Sequence, residues 1–180
     1  MKVLVISDTH GRLENAKKVI ESLIPIKGLS VCHCGDYVSD ARLIQKYYPQ
    51  LTVHSVYGNC DVGFGEEYTQ VVSIEGVPIY MCHGHRYGVK WGEYDELVID
   101  TSAHDAKVAL CGHSHMGHLQ KSEGILVMNP GSLSQPRDSR HPSYGILEIE
   151  DGKVISAHIM QIKENGVLIE HPVSVRFNEN

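Results

Sequence analysis

Five short apolar runs in this chain end in the same way, and that shared ending constrains the fold more than any other feature. Residues 2–7 run into Asp8-Thr9-His10-Gly11, and residues 29–34 into Gly35-Asp36. Residues 52–57 stop at Gly58-Asn59-Cys60-Asp61. Residues 77–82 stop at His83-Gly84-His85, and residues 108–111 at Gly112-His113-Ser114-His115. Short runs rich in Val and Ile with glycine at their ends read as buried strands. The polar clusters therefore sit at the carboxyl ends of strands, the edge where open α/β sheets bind ligands. One such cluster is an ordinary turn. Five of them, each with an adjacent glycine, need a common purpose.

Helical spacing fills the gaps between the first strands. Leu13, Ala16, Val19, Ile20, Leu23 and Ile24 recur at that spacing until Pro25 stops them. Ala41, Ile44, Tyr47 and Tyr48 mark a second helix, with Ser39 or Asp40 as its N-cap. A βαβαβ order predicts parallel strands. Strands at 71–74 and 77–82 meet at Glu75-Gly76, and a helix follows over 94–101. Strands at 117–121 and 125–128 flank Glu123-Gly124. Strands at 144–150 and 154–162 flank the tight-turn pair Asp151-Gly152. The fold class is α/β: a four-layer α/β/β/α sandwich of two mixed sheets flanked by helices. The 180 residues suit one domain, 1–180, with a C-terminal extension from about 163. In that extension residues 167–169 and 173–177 are expected to add strands or to meet a partner, such as a second copy in a homo-oligomer.

Composition narrows the setting. The net charge is -6, with 22 acidic against 16 basic residues, so the chain does not hold long nucleic acid by bulk charge. The five cysteines form no disulfide framework, and four lie in or beside apolar runs as buried thiols do. Cys32-His33-Cys34 reads as two core thiols on a buried strand rather than as half of a zinc site. No stretch approaches the roughly 18 apolar residues of a membrane span, and the first apolar run is too short for a signal peptide. These features predict a cytoplasmic, reduced protein with no membrane partner. Twelve histidines stand against one Trp and two Phe, and imidazole is the commonest metal ligand and near-neutral acid–base group.

The strand ends would deliver Asp8, His10, Asp36, Asn59, His83, His113 and His115 to one place. Seven mixed nitrogen and oxygen donors are too many for one tetrahedral zinc and suit two ions sharing a ligand. Two dications about 3.5–4 Å apart repel by on the order of 15–20 kcal/mol at an effective dielectric near 20. A bridging carboxylate and a bridging hydroxide offset that repulsion. The formal charge left over is +1, which attracts a phosphodiester anion, and the site activates water without a protein base.

Other residues sit around this set. His85 is a candidate to contact substrate or support a ligand, and Asp61 to orient Asn59 or its loop. Thr9 and Ser114, between the donors, are expected to face outward or bond backbone. Ser132, in Asn129-Pro130-Gly131-Ser132, could bond a phosphate oxygen or a ligand histidine. Arg137, with Arg140 and His141, is a candidate phosphate contact. Tyr87 and Trp91 could stack an aryl group or base, or pack their loop.

Taken in order, Asp8-x-His10, Gly35-Asp36, Gly58-Asn59, His83-Gly84-His85 and Gly112-His113-Ser114-His115 resemble the calcineurin-like metallophosphoesterases. The likeness is greatest to the small YfcE-type phosphodiesterase subgroup and spans residues 2 to about 162. The resemblance implies the metallophosphoesterase fold. It also implies two divalent metal ions, commonly Mn2+, with Ni2+, Fe2+ or Zn2+ as other occupants. It assigns Asp8, His10 and His115 to the first metal, Asn59, His83 and His113 to the second, and Asp36 to both. Catalysis would use a metal-bridging hydroxide held by Asp36, with Asn59, His85 and Cys60 beside it. The implied reaction is hydrolysis of a small-molecule phosphodiester.

Many relatives carry histidine after the motif asparagine, where it stabilises the transition state or protonates the leaving group. Here that residue is Cys60, as in the YfcE-type subgroup. A thiol is a poor proton donor near pH 7, so diesters with good leaving groups, such as aryl phosphodiesters, are the expected substrates. Two alternatives remain at this stage. One is a phosphomonoesterase or nucleotide hydrolase on the same site. The other is a protein-interaction scaffold like the retromer subunit. That scaffold lacks the aspartate and asparagine that this chain keeps as Asp36 and Asn59, so the residues favour an enzyme.

Overall fold

Side-chain alternation along the strands decides the layers. In β1 (Lys2–Ile6), Val3 and Val5 enter one hydrophobic cluster while Leu4 and Ile6 enter another. A strand with both faces buried must lie inside a layered structure. The structure, a computed structural model, describes residues 1–25, 28–63, 65, 67–163, 166 and 168–170. After β1 come α1 (Glu14–Leu23), β2 (Leu29–His33), α2 (Val38–Tyr47) and β3 (Thr52–Ser55). Next are β4 (Thr69–Ile74), β5 (Val77–Cys82), a 3-10 turn (Gly88–Trp91), α3 (Asp95–Ala103) and β6 (Val108–Leu110). β7 (Gly117–Ser122), β8 (Ile125–Pro130), β9 (Ser143–Glu150), β10 (Lys153–Ile162) and β11 (Leu168–Glu170) follow.

One sheet runs β11-β10-β9-β1-β2-β3 and the other β4-β5-β6-β8-β7. Both are mixed. β1, β2 and β3 pair in parallel, as do β5, β6 and β8, while β9, β10, β11, β4 and β7 pair antiparallel. Val3, Val5, Cys32, Leu147 and Ile159 of the first sheet pack on Ile79, Met81, Leu110 and Met128 of the second. The outer face of the first sheet buries Ala16, Val19 and Ile20 of α1 and Ile44 of α2. The outer face of the second buries Leu97 and Val98 of α3. This is the expected four-layer sandwich. Cys32 and Cys34 are core thiols, while His33 between them is buried and bonded at both ring nitrogens.

Two details of the chain's course differ from expectation. The strands preceding the polar clusters stop one or two residues early, at Ile6, His33, Ser55 and Leu110. The chain is already turning inward there to present its polar residues. Neither Ser39 nor Asp40 caps α2. Its N-cap is Tyr37, in the left-handed region at φ 70°, with no side-chain cap of its own. The capping comes from afar: Val38 N–H donates to Asp61 Oδ1 (2.7 Å), while Asp40 Oδ2 accepts from Gly11 N–H (2.8 Å). In the extension, β11 pairs with β10 and brings Glu170 within 2.7 Å of His158 Nδ1. The strand expected at 173–177 lies outside the described residues.

Candidate metal centre

The carboxyl ends of both parallel trios converge on one edge of the sandwich, and side chains cross between the sheets there. His83, after β5, donates from Nδ1 to the Cys34 carbonyl after β2 (2.8 Å). His113 N–H, after β6, donates to Asp8 Oδ2 after β1 (3.0 Å). Asp8, His10, Asp36 and His115 each place a ligand atom within 4.8 Å of the others. His115 Nε2 lies 3.1 Å from Asp8 Oδ1 and 3.3 Å from His10 Nε2. His10 Nε2 is 3.8 Å from Asp36 Oδ2. His83 joins from the other side, its Nε2 3.3 Å from Asp36 Oδ1 and 3.9 Å from Asp8 Oδ1. The His113 ring stands 5.2 Å from that of His83, and the His85 ring 5.5 Å.

The backbone is held in costly conformations to achieve this. Asp8, His10, Asp36, His113 and His115 all have positive φ, between 47° and 68°. Such residues cost roughly 1–3 kcal/mol each and persist where the surroundings hold them. Asp8 is held most firmly. Ser7 Oγ donates to its Oδ2 (2.6 Å), and Ser132 and Ser134 both donate to its carbonyl (2.8 and 2.9 Å). Asn129 Nδ2 donates to the Gly112 carbonyl (2.6 Å) and to Ser114 Oγ (3.0 Å), bracing the loop between His113 and His115. Glycine is required at two close approaches. A Cβ at Gly58 would strike the Asp36 carboxylate, and one at Gly112 would strike the Ser7 hydroxyl and Asp8.

The donor chemistry fits divalent cations. A carbonyl only accepts, so Nδ1 of His83 and of His115 carries the proton, the latter donating to the Gln135 carbonyl (2.7 Å). Each Nε2 then turns a lone pair toward the carboxylates, the usual arrangement of a ligand imidazole. Asp8 Oδ1 and His83 Nε2 are buried with no hydrogen-bond partner, a costly state that a cation would relieve. Burial alone would raise the Asp8 pKa. The imidazoles of His115 and His83 and the Ser7 hydroxyl outweigh it, so the carboxyl sits below its ordinary 3.8. Burial likewise pulls His115 down, but Asp8 beside it lifts the net value above 6.5. His113, partly buried and facing His83, is lowered to about 4.

The remaining candidates divide. Asn59 stands on the exposed rim, its Nδ2 donating to Cys60 Sγ (3.4 Å). Cys60 N–H donates to Asp36 Oδ1 (3.0 Å), and burial with Asp36 nearby pushes its thiol up to about 11. Ser132 is fully buried, so its hydroxyl positions Asp8 and does not face a substrate. Arg137 is exposed, bonded through its N–H to the His115 carbonyl (3.0 Å). Thr9 and Ser114 are buried rather than outward-facing, Thr9 bonding His33 and Ser114 bonding backbone and Asn129. Tyr87 donates to Asp100 of α3 (2.7 Å) and packs its loop, while Trp91 is 79% exposed. Ser7, Asn129 and Tyr37 were not legible as site residues. Only the position of Ser7 directly before Asp8, and of Tyr37 directly after Asp36, hinted at them.

The chain is similar to several known proteins. Residues 1–152 match the calcineurin-like phosphoesterase superfamily domain. A probable metallophosphoesterase of Mycoplasma pneumoniae is 37% identical over 158 residues, covering 85% of this chain and 92% of its own. Phosphodiesterase YfcE of Escherichia coli is 26% identical, covering 90% and 95%. The crystal structure of wild-type Vps29 of Entamoeba histolytica complexed with Zn2+ superposes with a TM-score of 0.75 at 27% identity, covering 99% and 100%. The family match spans every cluster from Asp8 to His115 and the strands from β1 to β9. The chain belongs to the calcineurin-like phosphoesterase superfamily.

Proposed function

We propose that the protein is a divalent-metal-dependent phosphodiesterase acting on small phosphodiesters in the cytoplasm. The observation that carries this reading is the buried cluster of Asp8, His10, Asp36 and His115, with Asp8 Oδ1 and His83 Nε2 left unpartnered beside it. Asp8, His10 and His115 would hold one cation, Asn59, His83 and His113 a second, and Asp36 both. Bound there, the cations supply an activated water and positive charge for the phosphate oxygens. Nitrogen and oxygen donors without thiolate suit Mn2+, and Ni2+, Fe2+ and Zn2+ accept the same set.

The chain's own residues set the geometry and the proton inventory. Asp8 is ionised through the neutral range because its carboxyl lies below 3.8. His83 and His115 hold their protons on Nδ1 and keep Nε2 free for a cation. Cys60, lifted to about 11, keeps its proton at neutral pH and is a weak acid. His85 is the nearest other imidazole. Burial first, and then His83, lower its pKa, so it is neutral at pH 7. Neither Cys60 nor His85 is a strong acid for the leaving group at neutral pH, which favours aryl phosphodiesters.

A panel of aryl mono- and diesters tests the reading. Metal-dependent turnover of diesters above monoesters supports it, and Asp36→Ala should abolish turnover even at saturating Mn2+. A monoester preference would make the enzyme a phosphomonoesterase or nucleotide hydrolase on the same site. The likeness to Vps29 favours a scaffold reading, which absence of turnover at every metal loading would support. No helix among the described residues is long and apolar enough to cross a membrane.

A further inference from the structure

A cavity of about 350 Å³ opens beside the metal centre, between the start of α2 and the loop after β3. Tyr37, Ser39, Arg42, Tyr57, Cys60 and Val62 line it. It adjoins the proposed chemistry at two points. The Tyr37 ring meets the His10 ring edge-on at 5.5 Å, and the Cys60 N–H is bonded to Asp36 Oδ1. The cavity is also well supported. Asp61 Oδ1 accepts from Val38 N–H and Oδ2 from Gly58 N–H (2.8 Å), tying its two walls together. Tyr37 adopts a left-handed conformation, φ 70°, that holds its ring at the mouth, 41% exposed. Tyr57, nearly buried, also lines the cavity, and its ring lies 5.7 Å from that of Tyr68.

The cavity is at the small end of ligand pockets, with Tyr37 and Tyr57 in its lining beside the polar Ser39, Arg42 and Asp61, a size and composition that suit one flat ring with polar edges. The space is too small for a long oligonucleotide or a peptide. We infer that this cavity is the subsite for the esterifying group of the substrate, and that it takes a flat aromatic ring, aryl or nucleobase. The inference rests on the proposed phosphodiesterase reading and names the substrate class for it. It also moves the stacking role from Tyr87 and Trp91, one packed on α3 and the other solvent-exposed, to Tyr37 and Tyr57. Cys60 lines the cavity, so a thiol at that position leaves more room for the ring than an imidazole would.

Binding of phenyl phosphate, adenosine 5′-monophosphate and methyl phosphate to the Mn2+-loaded protein, measured by calorimetry, tests the inference without turnover. The two aromatic esters should bind about tenfold more tightly than methyl phosphate, in line with one ring stack. Tyr37→Asn removes the ring with a residue that tolerates positive φ. Ser39→Phe fills the cavity from an exposed helix position. Each should shrink the aromatic advantage to about twofold or less, and raise the ratio of aryl to methyl diester KM to match. An aromatic advantage that survives both variants, or equal binding of all three esters by the unaltered protein, overturns the inference while the diesterase reading stands. Loss of metal-dependent binding of every ester overturns that reading, and the inference falls with it.

Discussion

At the scale of single residues, the site depends on groups that never touch a substrate. Ser132 is the plainest case. Its hydroxyl is fully buried and donates to the Asp8 carbonyl while accepting from the N–H groups of Ser134 and Gln135. Ser132→Ala should weaken Mn2+ binding about 10–100-fold, the usual effect of losing such a support, with the far-UV circular dichroism unchanged. Unaltered Mn2+ affinity would count against a positioning role. Cys60 is the other informative residue. Its thiol, raised to about 11 by burial and Asp36, donates a proton poorly at neutral pH. Cys60→His should raise turnover most on diesters with poor leaving groups. Equal or lower rates across a leaving-group series would contradict that explanation. Asp8, His10, Asp36 and His115, which the fold brings together, were readable because each lies in a polar cluster that follows a strand and contains a glycine. Ser7, Asn129 and Tyr37 were not: a serine beside an aspartate is an ordinary pair in sequence, and Asn129 and Tyr37 act through contacts made only when distant segments meet. Asn129 bonds Gly112 across 17 residues, and Ser132 reaches Asp8 across 124.

At the scale of elements, α2 shows how far local rules carry. The apolar spacing of Ala41, Ile44 and Tyr47 predicted the helix, and α2 indeed covers Val38–Tyr47. The N-cap rule failed because the neighbourhood of Asp36 forces Tyr37 into a left-handed conformation and hands the capping to Asp61. Asp61 bonds both Val38 N–H and Gly58 N–H, so one carboxylate fastens β3's loop to α2. Asp61→Ala should lower unfolding stability by about 1 kcal/mol, the common cost of losing a helix cap. Asp61→Asn should recover part of it, since an amide oxygen still accepts one of the two bonds. Denaturant unfolding of both variants checks this, and a stability loss of equal size in both would argue against the bridging geometry. The strand register followed the same pattern of success and failure. The burial of β1 and β2 was legible from their apolar runs, and the core placement of Cys32 and Cys34 from their alternation about His33. The exact stopping points were not, because the residues just past them, such as Asp8, Asp36 and His113, leave the extended conformation for positive φ.

At the scale of the whole molecule, the histidines couple stability to pH. Burial holds His33, His54, His85, His113 and His118 below their ordinary 6.5, His113 down to about 4. His115 moves the other way, because Asp8 outweighs its burial. For the lowered group, the unfolded chain takes up protons near pH 6.5 that the folded chain refuses. Their contribution therefore favours the folded state less as pH falls from 6.5 toward their folded values. His115 opposes this, its stabilising effect being full below 6.5 and lost above. His113, lowered to about 4, and the four histidines shifted the same way set the sign. The metal-free protein should lose thermal stability between pH 7 and pH 5, which differential scanning fluorimetry will read, and a flat or rising Tm over that range would contradict the assignment. Asp8, below 3.8, does not contribute in this window.

The metal-loaded protein should fall more steeply over the same range, because protonation also competes with the metal for its imidazoles. The proposed function depends on metal-dependent turnover at the cluster of Asp8, His10, Asp36 and His115. The most direct test is turnover of bis(4-nitrophenyl) phosphate by chelator-stripped protein titrated with Mn2+. Activity should be absent at the start, rise with added metal, and reach its plateau at two ions per chain. Turnover that survives stripping, or no turnover at any metal loading, would contradict the account.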